Sequence, residues 1–253
     1  MWKWLVGVLL MVGTSAVRAN FQVDDTLDAL HVSGKNLREF TSDVSLKTTD
    51  STTGDDTTIA GKAWYQTGPD GRTRMRVNFT DKNGKANARE RTEYLLEDGW
   101  LIDRVYRTKT ETRRQILAPG QKINLLKMGE GPFPLPIGQP KEDVLKEFDV
   151  TPLAQNELPN TEALNLVPKP NSEFSRKFKW IHVWMDKETK LPVQIETTDK
   201  NEGEVQTTNL KMTVNPNPPL SDKDLKLEPV KDWMVSEEAM PNAPVASTQP
   251  SGK

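Results

Sequence analysis

The chain has 253 residues, of which 35% are hydrophobic and 28% are charged, and its formal net charge is −2. This is the composition of a globular protein of one or two domains, and it gives no electrostatic reason to expect nucleic acid binding. The absence of cysteine excludes disulfides, thiol catalysis and a lipid-modified N-terminal cysteine.

The first segment, residues 1–19, has the pattern of a cleaved secretory signal. Lys3 precedes an apolar run from Trp4 to about Val12, and small or polar residues follow as far as Ala19. The apolar run is much shorter than the roughly 20 residues that a membrane-spanning helix needs. We therefore expect cleavage after residue 19 and a soluble protein in the periplasm.

An N-terminal helix is predicted over residues 24–37. Leu27, Leu30 and Leu37 recur at helical spacing. Gly34 weakens the middle of this helix without removing its periodicity.

After the helix the apolar residues recur at every second position. The clearest case is the segment 74–79, where Met75, Val77 and Phe79 alternate with polar residues. Such alternation predicts half-buried antiparallel strands, and the Asp98-Gly99 pair predicts a tight hairpin between two of them. The first half of the chain is therefore predicted to be a meander of strands.

A proline-rich apolar segment interrupts this pattern, because residues 131–138 read GPFPLPIG. Proline lacks the backbone N–H, so the segment cannot be a central strand or a helix interior. Its side chains must be covered or must cover something else. We interpret the segment as a lid on the sheet; an apolar loop that seals an ordinary core is the alternative. A short helix is predicted to begin near Pro140.

The second half returns to strands, over 148–153, 163–167 and 174–186 and in two further runs before Asn215. In the third of these, Trp180 and Trp184 share one face and aliphatic residues share the other.

The predicted fold class is mainly β (α+β). A single curved antiparallel sheet of about ten strands forms an incomplete barrel. The N-terminal helix and a short helical and proline-rich lid cover its concave face. One domain is expected over residues 20–239, followed by a disordered tail over 240–253.

Signs of catalysis are few. His31 and His182 are the only histidines and do not have metal-ligand spacing. The carboxylates lie in turns and on polar strand faces. The sequence alone does not decide whether two of them lie close enough in space to act as a glycosidase pair. No phosphate-binding glycine loop, serine nucleophile elbow or calcium loop occurs. We expect no enzymatic activity, no cofactor and no metal.

The order of the motifs resembles the LolA family of outer-membrane lipoprotein carriers, with its LolB-like and RseB-like relatives. The corresponding segments, in chain order, are LREFTSDVSL, GKAWYQ, RMRVNF, EDGWLID, GPFPLPIG, LNLVPK, HVWMDKETKLPVQIETTD and VQTTNLKMTVN. The segment DLKLEPVKDWMV stands where the family has its closing element. The resemblance extends over about residues 25–235.

The resemblance implies a half-barrel whose apolar cavity takes up the acyl chains of lipoproteins. It also implies a monomeric carrier, or chaperone, that serves outer membrane biogenesis and meets membrane-bound donor and acceptor proteins. The residues expected to bind lipid are Met75, Val77, Phe79, Leu96, Trp180 and Trp184 of the sheet and Leu125, Phe133, Leu135 and Ile137 of the lid.

Two features depart from the family pattern. Thr67 stands where the family carries an arginine near the cavity mouth, and the chain is longer than the usual carrier. An envelope stress sensor or scaffold that binds a protein partner with the same fold is the alternative function. An enzyme on this scaffold is the third hypothesis.

Overall fold

The computed structural model describes residues 14–118, 121, 137–199, 205–215 and 219–240. Its helices are α1 (Thr14–Asn36) and α2 (Lys141–Glu147), with a short 3-10 helix at Glu173–Arg176. The strands are β1 (Glu39–Thr49), β2 (Asp56–Thr67), β3 (Thr73–Lys82), β4 (Lys85–Ala86), β5 (Thr92–Glu97), β6 (Trp100–Val105), β7 (Thr110–Gln115), β8 (Phe148–Pro152), β9 (Thr161–Pro168), β10 (Phe178–Asp186), β11 (Pro192–Asp199), β12 (Val205–Val214) and β13 (Met234–Glu238).

All thirteen strands belong to one sheet, in the order β13-β7-β6-β5-β3-β2-β1-β12-β11-β10-β9-β8, with β4 beside β3. Neighbours are antiparallel except β13, which runs parallel to β7. Within the described residues the two end strands, β13 and β8, do not pair, so the sheet is open. The predicted mainly β fold and incomplete barrel are confirmed, with more strands than the expected ten.

The hairpin predicted at Asp98-Gly99 is also confirmed. Both residues have positive φ, 50° and 80° respectively, and they join β5 to β6. Two consecutive left-handed residues give a turn whose twist matches that of the flanking strands, and Asp and Gly tolerate this conformation.

The sheet has two faces of different chemistry. We call the face covered by α1 the inner face and the opposite face the outer face. Inner-face residues such as Phe40, Met75 and Ile181 form one buried cluster with Leu27 and Leu30 of α1. The apolar side chains thus lie at every second strand position, as the alternation predicted.

Helix α1 begins at Thr14, earlier than predicted and inside the segment 1–19 assigned to a signal. Within α1 the Thr26 side chain is buried, and its Oγ1 donates a hydrogen bond to Glu162 Oε2 of β9 at 3.1 Å. Among the described residues, no helix combines the length and the apolar character that crossing a membrane requires.

The chain after β12 crosses the outer face. We call residues 219–233 the C-terminal strap. Three of its carbonyls accept hydrogen bonds from outer-face side chains: Leu220 from Gln66 at 3.4 Å, Asp224 from Arg76 at 3.1 Å and Glu228 from Arg104 at 2.7 Å. The donors belong to β2, β3 and β6, so the strap runs across these strands towards β13 at the edge.

One strap side chain, Leu225, has no exposed surface. At the end of the strap, the Trp233 ring meets the Tyr106 ring edge to face, with centroids 4.9 Å apart. The strap is therefore a packed part of the domain and not a linker.

Candidate functional site

The inner face carries four of the predicted lipid-binding residues. Met75, Val77, Phe79 and Leu96 are all buried in the inner-face cluster. The strand register explains why they lie together, because Met75 stands opposite Leu96 on β5. Contact between these side chains and lipid stays a prediction.

The aromatic residues of β10 lie on the outer face instead. Ile181, Val183 and Met185 belong to the inner-face cluster, so Trp180 and Trp184 point the other way. This corrects their assignment to the same lining as Met75 and Phe79. Both faces of β10 are apolar in sequence, and the register of the neighbouring strands decides which face turns inward.

The outer-face aromatics stack on one another. The Trp180 and His182 rings are 3.9 Å apart and nearly parallel, and His182 meets Trp184 edge to face at 5.9 Å. His182 Nδ1 lies 3.8 Å from Glu196 Oε2, which is longer than a hydrogen bond. Within the described residues no group of three or more potential ligands could hold a metal ion.

Three of the four lid residues, Leu125, Phe133 and Leu135, lie outside the described residues. The fourth, Ile137, is fully buried in the inner-face cluster.

The chain at residues 137–138 is attached to α1. Gly138 N donates to Leu30 O at 3.2 Å, and His31 Nδ1 donates to Gly138 O at 3.1 Å. Gly34 permits this approach: a Cβ atom there would lie 2.2 Å from Gly138 N and 2.4 Å from Ile137 Cγ2. The glycine that weakens the predicted helix is therefore the point where another backbone meets it.

Helix α2 follows this attachment and is joined to α1 by charge. Lys141 Nζ lies 3.0 Å from Asp28 Oδ2 and 4.0 Å from Asp24 Oδ2. These ion pairs are exposed, and exposed pairs contribute little to stability. The helix predicted near Pro140 is confirmed.

A polar group interrupts the inner face at its β6 end. Asp103 stands between Leu101 and Val105 on β6, and opposite Tyr94 of β5 and Thr112 of β7. Its Oδ1 atom is buried and has no hydrogen-bond partner among the described residues. Burial raises the pKa of Asp103, and the charge of Arg114 opposes part of this shift. Burial, and then the charge of Asp103, raise the pKa of Tyr94.

We expect the stabilising effect of Asp103→Asn to depend on pH. A carboxyl group with a raised folded-state pKa stabilises the fold while protonated, and this contribution is lost as the pH rises through that pKa. The variant should therefore gain more in Tm over the wild type at about pH 7 than at about pH 3. Thermal unfolding at both pH values measures this, with Asp149→Asn on the outer face of β8 as the control. Equal Tm differences at the two pH values would contradict the expectation.

The outer face carries buried ion pairs that the sequence reasoning missed. Glu93 accepts hydrogen bonds from Arg91 at 2.8 Å and Tyr106 at 2.8 Å, and it also pairs with Arg76. Burial raises the pKa of Glu93, but its hydrogen bonds with Arg76 and Tyr106 outweigh burial, so the pKa lies below its ordinary value. The sequence does contain a pattern that indicates these ion pairs, because arginines alternate with apolar residues along β3.

A second ion pair of this face joins β6 to β7. Arg104 Nε lies 2.6 Å from Glu111 Oε2, and Arg113 Nε lies 2.6 Å from Glu111 Oε1. Burial raises the pKa of Glu111, and hydrogen bonds from Arg113 and Arg104 lower it further than burial raises it. Because Arg76 and Arg104 also hold strap carbonyls, these pairs position the donors that bind the strap.

Beside this network the outer face has a cavity of about 250 Å³ at its β13 end. It is lined by Glu97, Asp98, Trp100, Ile102, Arg113 and Glu237. None of the residues predicted to bind lipid lines this cavity. Its lining residues lie on the outer face of the sheet or in the turn between β5 and β6.

Comparison with known proteins finds likeness in fold. No family model matches the chain. No curated protein matches it either. The crystal structure of an uncharacterized conserved protein from Thermus thermophilus aligns with a TM-score of 0.50 at 12% identity, covering 85% of this chain and 98% of that one. At this identity the likeness shows the fold alone.

Two further structures align with TM-scores under 0.5. The MucA/MucB complex of Pseudomonas aeruginosa aligns at 0.47 with 14% identity, covering 81% of this chain but only 61% of that one. A putative outer membrane lipoprotein-sorting protein domain from Vibrio parahaemolyticus aligns at 0.39 with 12% identity, covering 83% of this chain and 97% of that one. The open sheet covered by an N-terminal helix is the architecture that the resemblance to the LolA family implied.

Proposed function

We propose that the protein is a non-enzymatic carrier that binds acyl chains of lipoproteins or lipids against the inner face of its sheet. In this proposal it works as a monomer in the periplasm and moves its cargo towards the outer membrane. The observation that carries the proposal is the attachment of residues 137–138: apolar Ile137 covers the inner face but is held by hydrogen bonds to α1 and not by strand pairing.

This attachment matters because a cover outside the sheet can leave without breaking the strand ladder. Two hydrogen bonds join Gly138 to α1. Each is worth about 0.5–1.5 kcal/mol net. An acyl chain gains about 0.8 kcal/mol for each methylene group it buries. A chain of ordinary length therefore gains enough to replace these contacts.

The inner face also has apolar side chains that are only partly covered. They pack against the buried cluster and keep some exposed surface: Leu46, Ile59, Tyr94, Leu101, Ile116 and Met212. Partly exposed apolar groups beside a buried cluster are places where hydrocarbon could extend the core.

A charge among these partly covered residues should therefore weaken acyl binding. Leu101→Lys places an ammonium group among the partly covered residues, and we expect it to weaken binding of a fluorescent fatty-acyl probe by at least about tenfold, since a charge is costly to bury beside hydrocarbon. Titration of the delipidated protein measures this.

The matched control is Ile102→Lys, the next residue along β6, which faces outward and lines the outer cavity. It adds the same charge and should leave the affinity unchanged. Equal loss in both variants, or no saturable binding by the wild type, would overturn the proposal.

A second candidate is a scaffold or stress sensor that binds a protein partner. The observation that favours it is the end strand β13, where Met234 and Val235 are 73% and 51% exposed. An end strand has unpaired backbone groups that can accept another strand. A stoichiometric partner that stays bound after detergent stripping, and that Met234→Glu releases, would favour this candidate.

A further inference from the structure

The inner face changes from apolar to polar along a single row of paired residues. In the register of the sheet, Ala63 of β2 stands opposite Val77 of β3, and Val77 stands opposite Tyr94 of β5. The row then continues through polar residues of the next three strands: Asp103, Thr112 and Ser236. Along this row the inner face is thus apolar over β2 and β3 and polar from β6 to β13.

Asp103 is the charged member of this row. The neighbouring residues of its own strand on the same face, Leu101 and Val105, are apolar and partly exposed. Its buried Oδ1 accepts no hydrogen bond from any described residue. Buried polar atoms in native proteins almost always have a partner, so such an atom needs an explanation.

The neighbouring cation does not provide that partner. Arg114 lies on β7 opposite Leu101, and it donates from Nε to Glu238 Oε2 of β13 at 2.8 Å. The hydroxyl of Ser236, the β13 member of the row that contains Asp103, donates to Thr112 Oγ1 at 3.4 Å. The groups of β7 and β13 around Asp103 are thus bonded to one another across the strand pair.

We propose that Asp103 determines ligand specificity by accepting a hydrogen bond from the head group of the bound amphiphile. This inference rests on the proposed function, because it needs acyl chains on the inner face. The chains lie over β2, β3 and β5, and the head lies over β6, β7 and β13. The ligand class is an acyl compound whose head has a donor, such as an amide, hydroxyl or ammonium group, and not a free carboxylate or phosphate.

The chemistry follows from the carboxylate itself. A carboxylate accepts hydrogen bonds and attracts a cation, and beside apolar groups its charge is screened less than in water. An anionic head placed there would meet a like charge and leave Oδ1 without a partner. A donor head satisfies the buried oxygen, and an ammonium head adds attraction between opposite charges.

The test compares heads on chains of equal length. A neutral fluorescent hydrocarbon, diphenylhexatriene, reports occupancy of the inner face, and it is displaced by dodecylamine, dodecanol or dodecanoate near pH 7. For the wild type we expect dodecylamine to bind at least about tenfold more tightly than dodecanoate. In Asp103→Asn this ratio should fall to within about twofold, because the variant removes the charge that distinguishes the two heads.

The matched control is Asp149→Asn, which removes the same charge from an exposed position of β8. It should keep the wild-type ratio. Asp103→Leu, which also removes the charge, provides a second variant, and thermal unfolding checks that each variant is folded.

The outcomes separate the two proposals. If diphenylhexatriene and dodecanol bind but the ratio is the same in the wild type and Asp103→Asn, or falls equally in Asp149→Asn, only the specificity proposal is overturned. If neither binds the wild type, the proposed function fails and the specificity proposal fails with it.

Discussion

Glu111→Leu is expected to lower the free energy of unfolding by about 3–5 kcal/mol. The Glu111 side chain has no exposed surface and that of Arg104 is 5% exposed, so the variant leaves a buried guanidinium without its carboxylate. The Arg104 bond to the Glu228 carbonyl remains, but a carbonyl does not neutralise the charge. Urea or thermal unfolding measures the loss.

Two further variants distinguish the cost of an unpaired charge from ordinary loss of packing. Arg104→Met combined with Glu111→Leu removes both charges and keeps similar volume, and it should recover most of the lost stability. Glu238→Gln weakens the exposed pair with Arg114 and should cost at most about 1 kcal/mol. If Glu111→Leu costs no more than Glu238→Gln, the buried pair is not what stabilises this face.

Gly34→Ala should destabilise the protein by about 1–3 kcal/mol, the usual cost of overpacking. In a solvent-exposed helix the same change stabilises by about 1 kcal/mol, because alanine has the higher helix propensity. Here the added methyl group would overlap the backbone of Gly138, which cannot move away while it remains bonded to Leu30. A loss of stability therefore indicates that Gly34 contacts the backbone of Gly138, and a gain indicates that it does not.

Ser33→Ala, one residue earlier on α1, is the control and should be neutral or slightly stabilising. Hydrogen exchange at the Gly138 amide adds a local measurement, since the variant should weaken its bond to Leu30 and speed its exchange. A more stable Gly34→Ala protein with unchanged exchange would show that residues 137–138 are not held at this point.

Local patterns predicted much of the fold. Leu27 and Leu30 marked the buried side of α1, and the alternation of Met75, Val77 and Phe79 gave both a strand and its inner face. These patterns work because each element has one apolar and one polar side.

Prediction failed where an element lacks that asymmetry. In β10 aromatic residues alternate with aliphatic ones, so no polar side marks the surface, and Trp180 and Trp184 were placed on the wrong face. A shift of one residue exchanges the two faces, and only the pairing with β9 and β11 decides between them.

The path of the strap across the outer face was not predicted, for a different reason. Its backbone carbonyls accept hydrogen bonds from Gln66, Arg76 and Arg104, and a carbonyl has no signature in sequence. Asp103 does have a recognisable sequence signature, because it is an acidic residue at an inward-facing strand position between the apolar residues Leu101 and Val105.

The parallel pairing of β13 with β7 has a consequence for biosynthesis. Met234 stands opposite Thr110, so the free edge of β7 acquires its neighbour only after all the residues between the two strands have left the ribosome. Until then the nascent protein presents an open strand edge, a common starting point for aggregation, and contacts between such distant residues form slowly. We expect molecular chaperones to shield this edge during synthesis.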